Sequence, residues 1–378
     1  MTVKEKFLDD LGGKEREIIV PNSSLNEKLF KHCTDMMNTY EYTKRNYIFP
    51  NTFHEKGIQI YEQLKKEIDF KFNINQFNDF ILNYSDIHLE EDKKKVFGCC
   101  TSALFKLAEK GIEVYLNGQG KRFDYLLHHL TEFDDLILDN FKGKELLSHA
   151  ISRDEKGGSL IIANSDLDRS GMQFGTQGSF DTLTLLNCNI NASFYNLSNT
   201  SDSYANTIIV ANSRGDGGFY SICEKHGKLE LFLYAYNNFE EFGYRVGGEG
   251  QIKKIFALHN KGKKIFEEAG VADDFKLLAA DFNGTIDDGN IDLILAANNE
   301  SKQMLEKCKC KSLKLYNNKG WGIGRATKVK KDKINEDEYN QILTKNNLHL
   351  ILDYFKYMQG KTYSYQNMMD VLQLVEEL

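Results

Sequence analysis

The chain has 378 residues, with 48 Lys and Arg against 55 Asp and Glu, a formal net charge of −7, and 41% hydrophobic residues. That balance is too apolar for a disordered chain, and no run approaches the roughly 20 apolar residues of a membrane-spanning helix. An acidic chain without a basic domain argues against nucleic acid and anionic membranes as partners.

The opening MTVKEKFLDDLGGKERE lacks the apolar core of a signal peptide, and seven scattered cysteines favour a reducing cytoplasm over a disulfide framework. Residues 1–95 read as a helical N-terminal domain. Ser24 and Glu27 have capping-box spacing, after which Leu25, Leu29, Cys33, Met36 and Tyr40 recur at helical intervals. Ile58, Tyr61, Leu64 and Ile68 mark a second helix, and Ile74, Phe77, Phe80, Ile81 and Tyr84 a third. Phe97, Cys100, Leu104 and Leu107 mark a fourth, with Gly111 as its terminating glycine. The alternating Ile112-Glu113-Val114-Tyr115-Leu116 then begins a strand.

From there to residue 327 the chain repeats a short apolar strand ending in Asn: Asn117, Asn140, Asn164, Asn187, Asn212, Asn237, Asn260, Asn298 and Asn317. Successive spacings up to Asn260 are 23, 24, 23, 25, 25 and 23 residues, and a weaker copy, AADFN, places Asn283 another 23 on. Residues four and two before each Asn form an apolar pair on one strand face, for example Leu136/Leu138, Leu160/Ile162, Leu233/Ala235 and Phe256/Leu258. The first rung is out of register by one. A second strand is expected in LLSHAI (146–151), MQFG (172–175), SFYNLS (193–198), FYSIC (219–223) and FGYRV (242–246). Two strands and two turns in about 23 residues suit one coil of a right-handed parallel β-solenoid, stabilised by stacking. The fold class is therefore α+β, a β-solenoid (β-helix) of nine to ten coils over 96–327. Its N-terminal end is plugged by the helix at 96–110. Residues 328–378 supply a solvated basic joint, Lys328–Lys333, and a C-terminal helical cap that closes the far end. The Asn column suits the bend after each strand and can hydrogen-bond as a ladder.

The strand-Asn-Gly units NGQG (117–120), NFKG (140–143), NSRGDGG (212–218) and NKGK (260–263) resemble the GXGXG right-handed β-helix family, which includes the glutamate synthase C-terminal domain and a formylmethanofuran dehydrogenase subunit. That resemblance implies a structural and docking module and carries over no catalytic residue. The competing fold is a β-propeller, because LLAADFNGTIDDGNIDLILAAN (277–298) is similar to FG-GAP calcium-loop repeats.

Two acidic sites merit attention. Asp281, Asn283, Asp287, Asp288 and Asp292 offer hard oxygen ligands for calcium, although a polar hairpin between coils is the preferred reading. Asp166, Asp168 and Arg169 share one turn, the composition with which β-helices handle acidic polysaccharides, although Asp-rich turns are ordinarily just solvated. Cys100, Cys188 and Cys223 read as core, and Cys308 and Cys310 lack zinc spacing. His128 and His129, if in a strand, point to opposite faces. Trp321 on the last rung suits sugar stacking or cap packing equally. The favoured function is non-enzymatic: a cytoplasmic scaffold or recognition module, without cofactor, presenting an Asn/Asp-lined face to a protein partner. A carbohydrate-binding or carbohydrate-active β-helix is the alternative.

Overall fold

The structure, a computed structural model, describes residues 22–40, 50–198, 200, 203–223, 226–247, 250–265, 290–304, 310–319 and 331–378. Among the described residues four helices come first: α1 (Asn22–Thr39), α2 (Pro50–Glu67), α3 (Ile74–Asn83) and α4 (Glu91–Leu107). In α1 the residues at helical spacing, Leu25, Leu29, Cys33 and Met36, are all buried. In α2 the buried pair is Ile60 and Leu64, whereas Ile58 is 43% exposed. A capping box between Asn73 and Gln76 opens α3. Helix α4 stops at Ala108, and a bridge between Glu109 and Asn73 follows, so Gly111 is not its terminating glycine. Because α4 starts at Glu91, the boundary expected at 95/96 falls inside a helix. Its face joins one continuous core with the solenoid, where Phe97 stacks on Phe123 at 5.5 Å.

Numbered along the chain, one ten-stranded sheet contains β1 (Glu113–Asn117), β2 (Glu132–Asp139), β4 (Lys156–Ala163), β6 (Ser179–Leu186), β8 (Tyr204–Ala211), β10 (Lys228–Ala235), β12 (Gln251–Leu258), β14 (Asn290–Ala297), β16 (Ser312–Tyr316) and β17 (Lys331–Lys333). A seven-stranded sheet contains β3 (Lys142–Lys144), β5 (Asp166–Asp168), β7 (Asn189–Asn191), β9 (Arg214–Gly218), β11 (Asn238–Phe242), β13 (Lys261–Ile265) and β15 (Glu300–Met304). Every pairing between these strands is parallel, which is the β-solenoid and not the antiparallel blade of a propeller. Among the described residues seven coils carry strands on both sheets, fewer than nine to ten, because the terminal rungs have a described strand only in the larger one. The weak copy ending at Asn283 lies outside the described residues; β12 pairs directly with β14. Lys331–Lys333 is a strand paired with β16 and not merely a solvated joint.

The inward column runs through Leu136, Leu160, Leu183, Ile208, Phe232, Ile255, Ile294 and Leu313. Leu233 and Phe256, expected in it, sit one residue out of step and face the other way. The reason lies at the bend. Asn140, Asn164, Asn187, Asn212, Asn298 and Asn317 adopt left-handed backbone with φ between 45° and 57°, but in two coils Tyr236 and His259 take that position. Asn tolerates this conformation better than other non-glycine residues, which accounts for the column. Asn237 and Asn260 fall one residue later and turn inward, where with Asn299 and Asn318 they form a buried amide ladder of 3.0–3.1 Å side-chain bonds.

The third wall of the coil is not a β-strand. Along 145–151, 192–198 and 219–223 every second residue has positive φ, as in Leu147, His149 and Ile151 or Phe194, Asn196 and Ser198. Their amides bond alternately to neighbouring coils, for example Leu147 N to Leu126 O at 2.9 Å and His149 N to Met172 O at 2.7 Å. The segments expected as second strands occupy this wall, and the true second strands begin within two residues of each left-handed corner.

The three C-terminal helices, α5 (Glu336–Lys345), α6 (Leu348–Met358) and α7 (Tyr365–Glu376), do not close the far end. They lie along the outer face of the ten-stranded sheet and bury Ile137, Ile161, Ile209, Leu233, Phe256 and Leu295 against Leu352, Phe355 and Val371. Contacts run from Tyr365 Oη with Glu113 on β1 to Lys314 Nζ on β16, 2.6 Å from Glu338. Burying both faces explains the continuous apolar runs at the ends of these strands, each such side chain contributing about 1.5–3 kcal/mol.

Candidate functional site on the uncovered sheet

One wall of the solenoid consists of regular strands with no helix among the described residues packed on it. On the seven-stranded sheet the alternation of strand side chains sends Leu167, Ile190 and Phe239 inward and polar residues outward. Registered pairing stacks those outward residues into a column: Lys142, Asp166, Asn189, Arg214, Asn238, Lys261, Glu300 and, by a bridge, Lys319. Beside it, Lys144, Asp168 and Asn191 form the start of a second column. Asp216, Glu240 and Lys263 flank the first column farther along, with Lys263 Nζ 2.7 Å from Glu240. A shallow groove of about 710 Å³ crosses this face, with Arg214, Lys261, Lys263 and Lys319 supplying cations and Asp216, Glu240 and Glu300 supplying anions. Gly215 and Gly262 lower its floor. A Cβ on Gly215, at φ +144°, would lie 2.0 Å from Ile190 O, so that backbone must stay bare.

The turn singled out in the sequence lies on the same wall. Asp166 accepts a hydrogen bond from Asn189 Nδ2 at 2.6 Å, and Asp168 is 3.8 Å from Arg169 Nε. Their partners in the adjacent coils are Lys142 and Lys144 on one side and Asn189 and Asn191 on the other. Stacking thus brings cations and amides to Asp166 and Asp168, while Glu145 of the preceding coil interacts with Arg169. Of the acidic loop, Asp281, Asn283, Asp287 and Asp288 lie outside the described residues, as do Cys308 and Trp321; Asp292 is exposed and paired with Lys311 Nζ at 2.7 Å. Among the described residues no group of three or more His, Cys, Asp or Glu side chains is placed to hold a metal ion. Cys33, Cys99, Cys100, Cys188 and Cys223 are buried cysteines outside any disulfide, and burial pushes Cys188 up to about 12, opposite to what a nucleophile requires.

His128 and His129 do not sit in a strand. They occupy the third wall of the first coil, with ring centroids 4.6 Å apart, and His149 of the next coil lies 5.4 and 4.9 Å from them. The wall's left-handed alternation destroys the two-residue rule on which the opposite-face expectation rested. The same alternation conceals His149 from a strand-based reading. Lys95 of α4, only 3% exposed, completes the cluster. The cations Arg214 and Lys261 were also missed, as was Lys263; the signal for the first two is the polar residue at the first position of each second strand.

Comparison with protein-family models, curated proteins and solved structures finds no match to this chain. No helix among the described residues is long and apolar enough to cross a membrane.

Proposed function

We propose that the chain is a non-enzymatic scaffold or recognition module that presents the uncovered seven-stranded sheet to a protein partner. The observation that carries this reading is the registered column from Lys142 to Lys319, where charges of both signs and amides repeat at the spacing of successive strands. A rigid array of this kind favours electrostatic registration with a complementary surface over chemistry on a small molecule. The Asn corner is a poorer presenting edge than its sequence suggests, because Asn164 and Asn212 are engaged by Tyr363 of the C-terminal segment. The partial GXGXG likeness agrees with a docking role. The test is affinity purification of the tagged chain, with and without calcium, followed by mass spectrometry. The Arg214→Glu/Lys261→Glu variant is expected to keep its thermal melt within about 2 °C of the parent and to lose a stoichiometric protein partner at least tenfold. Recovery of glycan, or of strictly calcium-dependent material, with no protein partner would reject the scaffold reading in favour of the carbohydrate one.

A further inference from the structure

The seam between the helical N-terminal region and the solenoid contains a group of buried titratable side chains. Helix α4 lies against the third wall of the first coil through Gly98, with Ser102 Oγ donating to His128 O at 2.7 Å and Leu127 N donating to Thr101 Oγ1 at 3.0 Å. Helix α2 approaches through Gly57, whose position faces His129. Into this seam project His128, His129 and His149. Lys95 faces them from α4, with Asp92 3.7 Å from its ammonium group. Tyr125 and Glu91 line the outer side, where Tyr125 Oη donates to Glu91 at 2.6 Å. Lys144 and Glu145 face it from the second coil and Arg169 from the third; Gln173 hydrogen-bonds His149.

We propose that the three-histidine cluster is an acid-sensitive latch, which holds α4 on the first two coils while its imidazoles are neutral and loosens that seam ahead of the central coils when they gain protons. A proton on any of the rings places a second cation beside Lys95 where little water can screen it. Burial, the neighbouring His149 and Lys95 hold His128 well below the ordinary histidine range. His149 is lowered to about 4 by burial, with Lys95 adding and the Gln173 bond opposing. Depressed folded values mean that the unfolded chain takes up protons first. The latch is therefore intact above about pH 6.5 and weakens as the pH falls toward 4, His128 and His149 each adding up to about tenfold per pH unit to the opening equilibrium. Two carboxylates act oppositely: burial raises Glu145 and lifts Glu155 to about 7, so their protonation steadies the folded state over the same descent. A comparison between two chains that both keep these carboxylates cancels that contribution.

Hydrogen exchange of the full chain at pH 7.5 and 5.0, expressed as protection factors, is the test. Amides of α4 and residues 125–130 are expected to lose at least tenfold more protection than those of β8 and β10, and His149→Gln is expected to shrink that excess severalfold. Equal losses in seam and centre, or an unchanged excess in His149→Gln, would overturn the latch. If His149→Gln does not fold, the ring resonances of the parent chain decide. Imidazoles that stay neutral until the seam opens support it, and imidazoles that all titrate near 6.5 with protection unchanged refute it.

Discussion

Asn260→Ala is expected to lower unfolding free energy by about 3–4 kcal/mol. Asn260 is fully buried, and its side chain makes four hydrogen bonds. Nδ2 donates to Tyr234 O at 2.8 Å and to Asn299 Oδ1 at 3.0 Å, while Oδ1 accepts from Asn237 N at 2.9 Å and Asn237 Nδ2 at 3.1 Å. Alanine leaves those buried groups without this partner in a space with little room to rearrange, and it cuts the ladder from Asn237 to Asn318 at its centre. The contrast is Asn317→Gly on the exposed outer corner. There the bond to Asn298 Oδ1 is 2.9 Å long but solvated, and glycine suits the left-handed φ of 45°. That change is expected to fall within about 0.5 kcal/mol of neutral. Urea unfolding of both variants measures the difference, and equal costs would show that the inner ladder adds nothing to stability.

Gly98→Ala is expected to cost about 2–3 kcal/mol and to loosen α4 specifically. A Cβ at this position would lie 2.2 Å from Tyr125 O and 2.8 Å from Tyr125 Cβ, so the helix must back away from the first coil. Retreat would stretch the Ser102 and Thr101 bonds and open the stack of Phe97 on Phe123. Gly57→Ala in α2 is the matched control: its Cβ meets His129 Cβ at 3.3 Å, and alanine's better helix propensity, worth up to about 1 kcal/mol, offsets the tighter contact. Thermal unfolding is expected to place Gly98→Ala at least 4 °C below Gly57→Ala. A melting temperature for Gly98→Ala equal to the parent's would mean that the helix does not seat as described.

The rungs were legible because each repeats one inward pair and one corner residue, and stacking preserves both. Where the corner residue changed to Tyr236 or His259, Asn no longer marked the same position, and alignment on Asn misplaced Leu233 and Phe256. The third wall was illegible because left-handed backbone at Leu147, Ile151 or Phe194 runs against residue preference and is imposed by hydrogen bonds from the neighbouring coils. The C-terminal helices were readable from their own periodicity, but their seat was not. The clue lay elsewhere, in strands such as LIIA and IIVA that are apolar on both faces. Of the candidate site, Asp166 and Asp168 were found as a local cluster, whereas Arg214 and Lys261 join them only through the register of strands far apart in sequence.

The lateral helices tie the number of coils to a fixed length. Nine strands from β1 to β16 span about 38 Å at the usual strand spacing, and the helices are tied to both ends of that span, by Tyr365 to Glu113 on β1 and by Glu338 to Lys314 on β16. A free solenoid gains or loses a repeat at little cost beyond one interface. Here an added coil would push an apolar outer rung past the end of its cover, and a deleted one would leave helix with nothing beneath it. The cover thus sets a steric limit on copy number that an open array of repeats does not have.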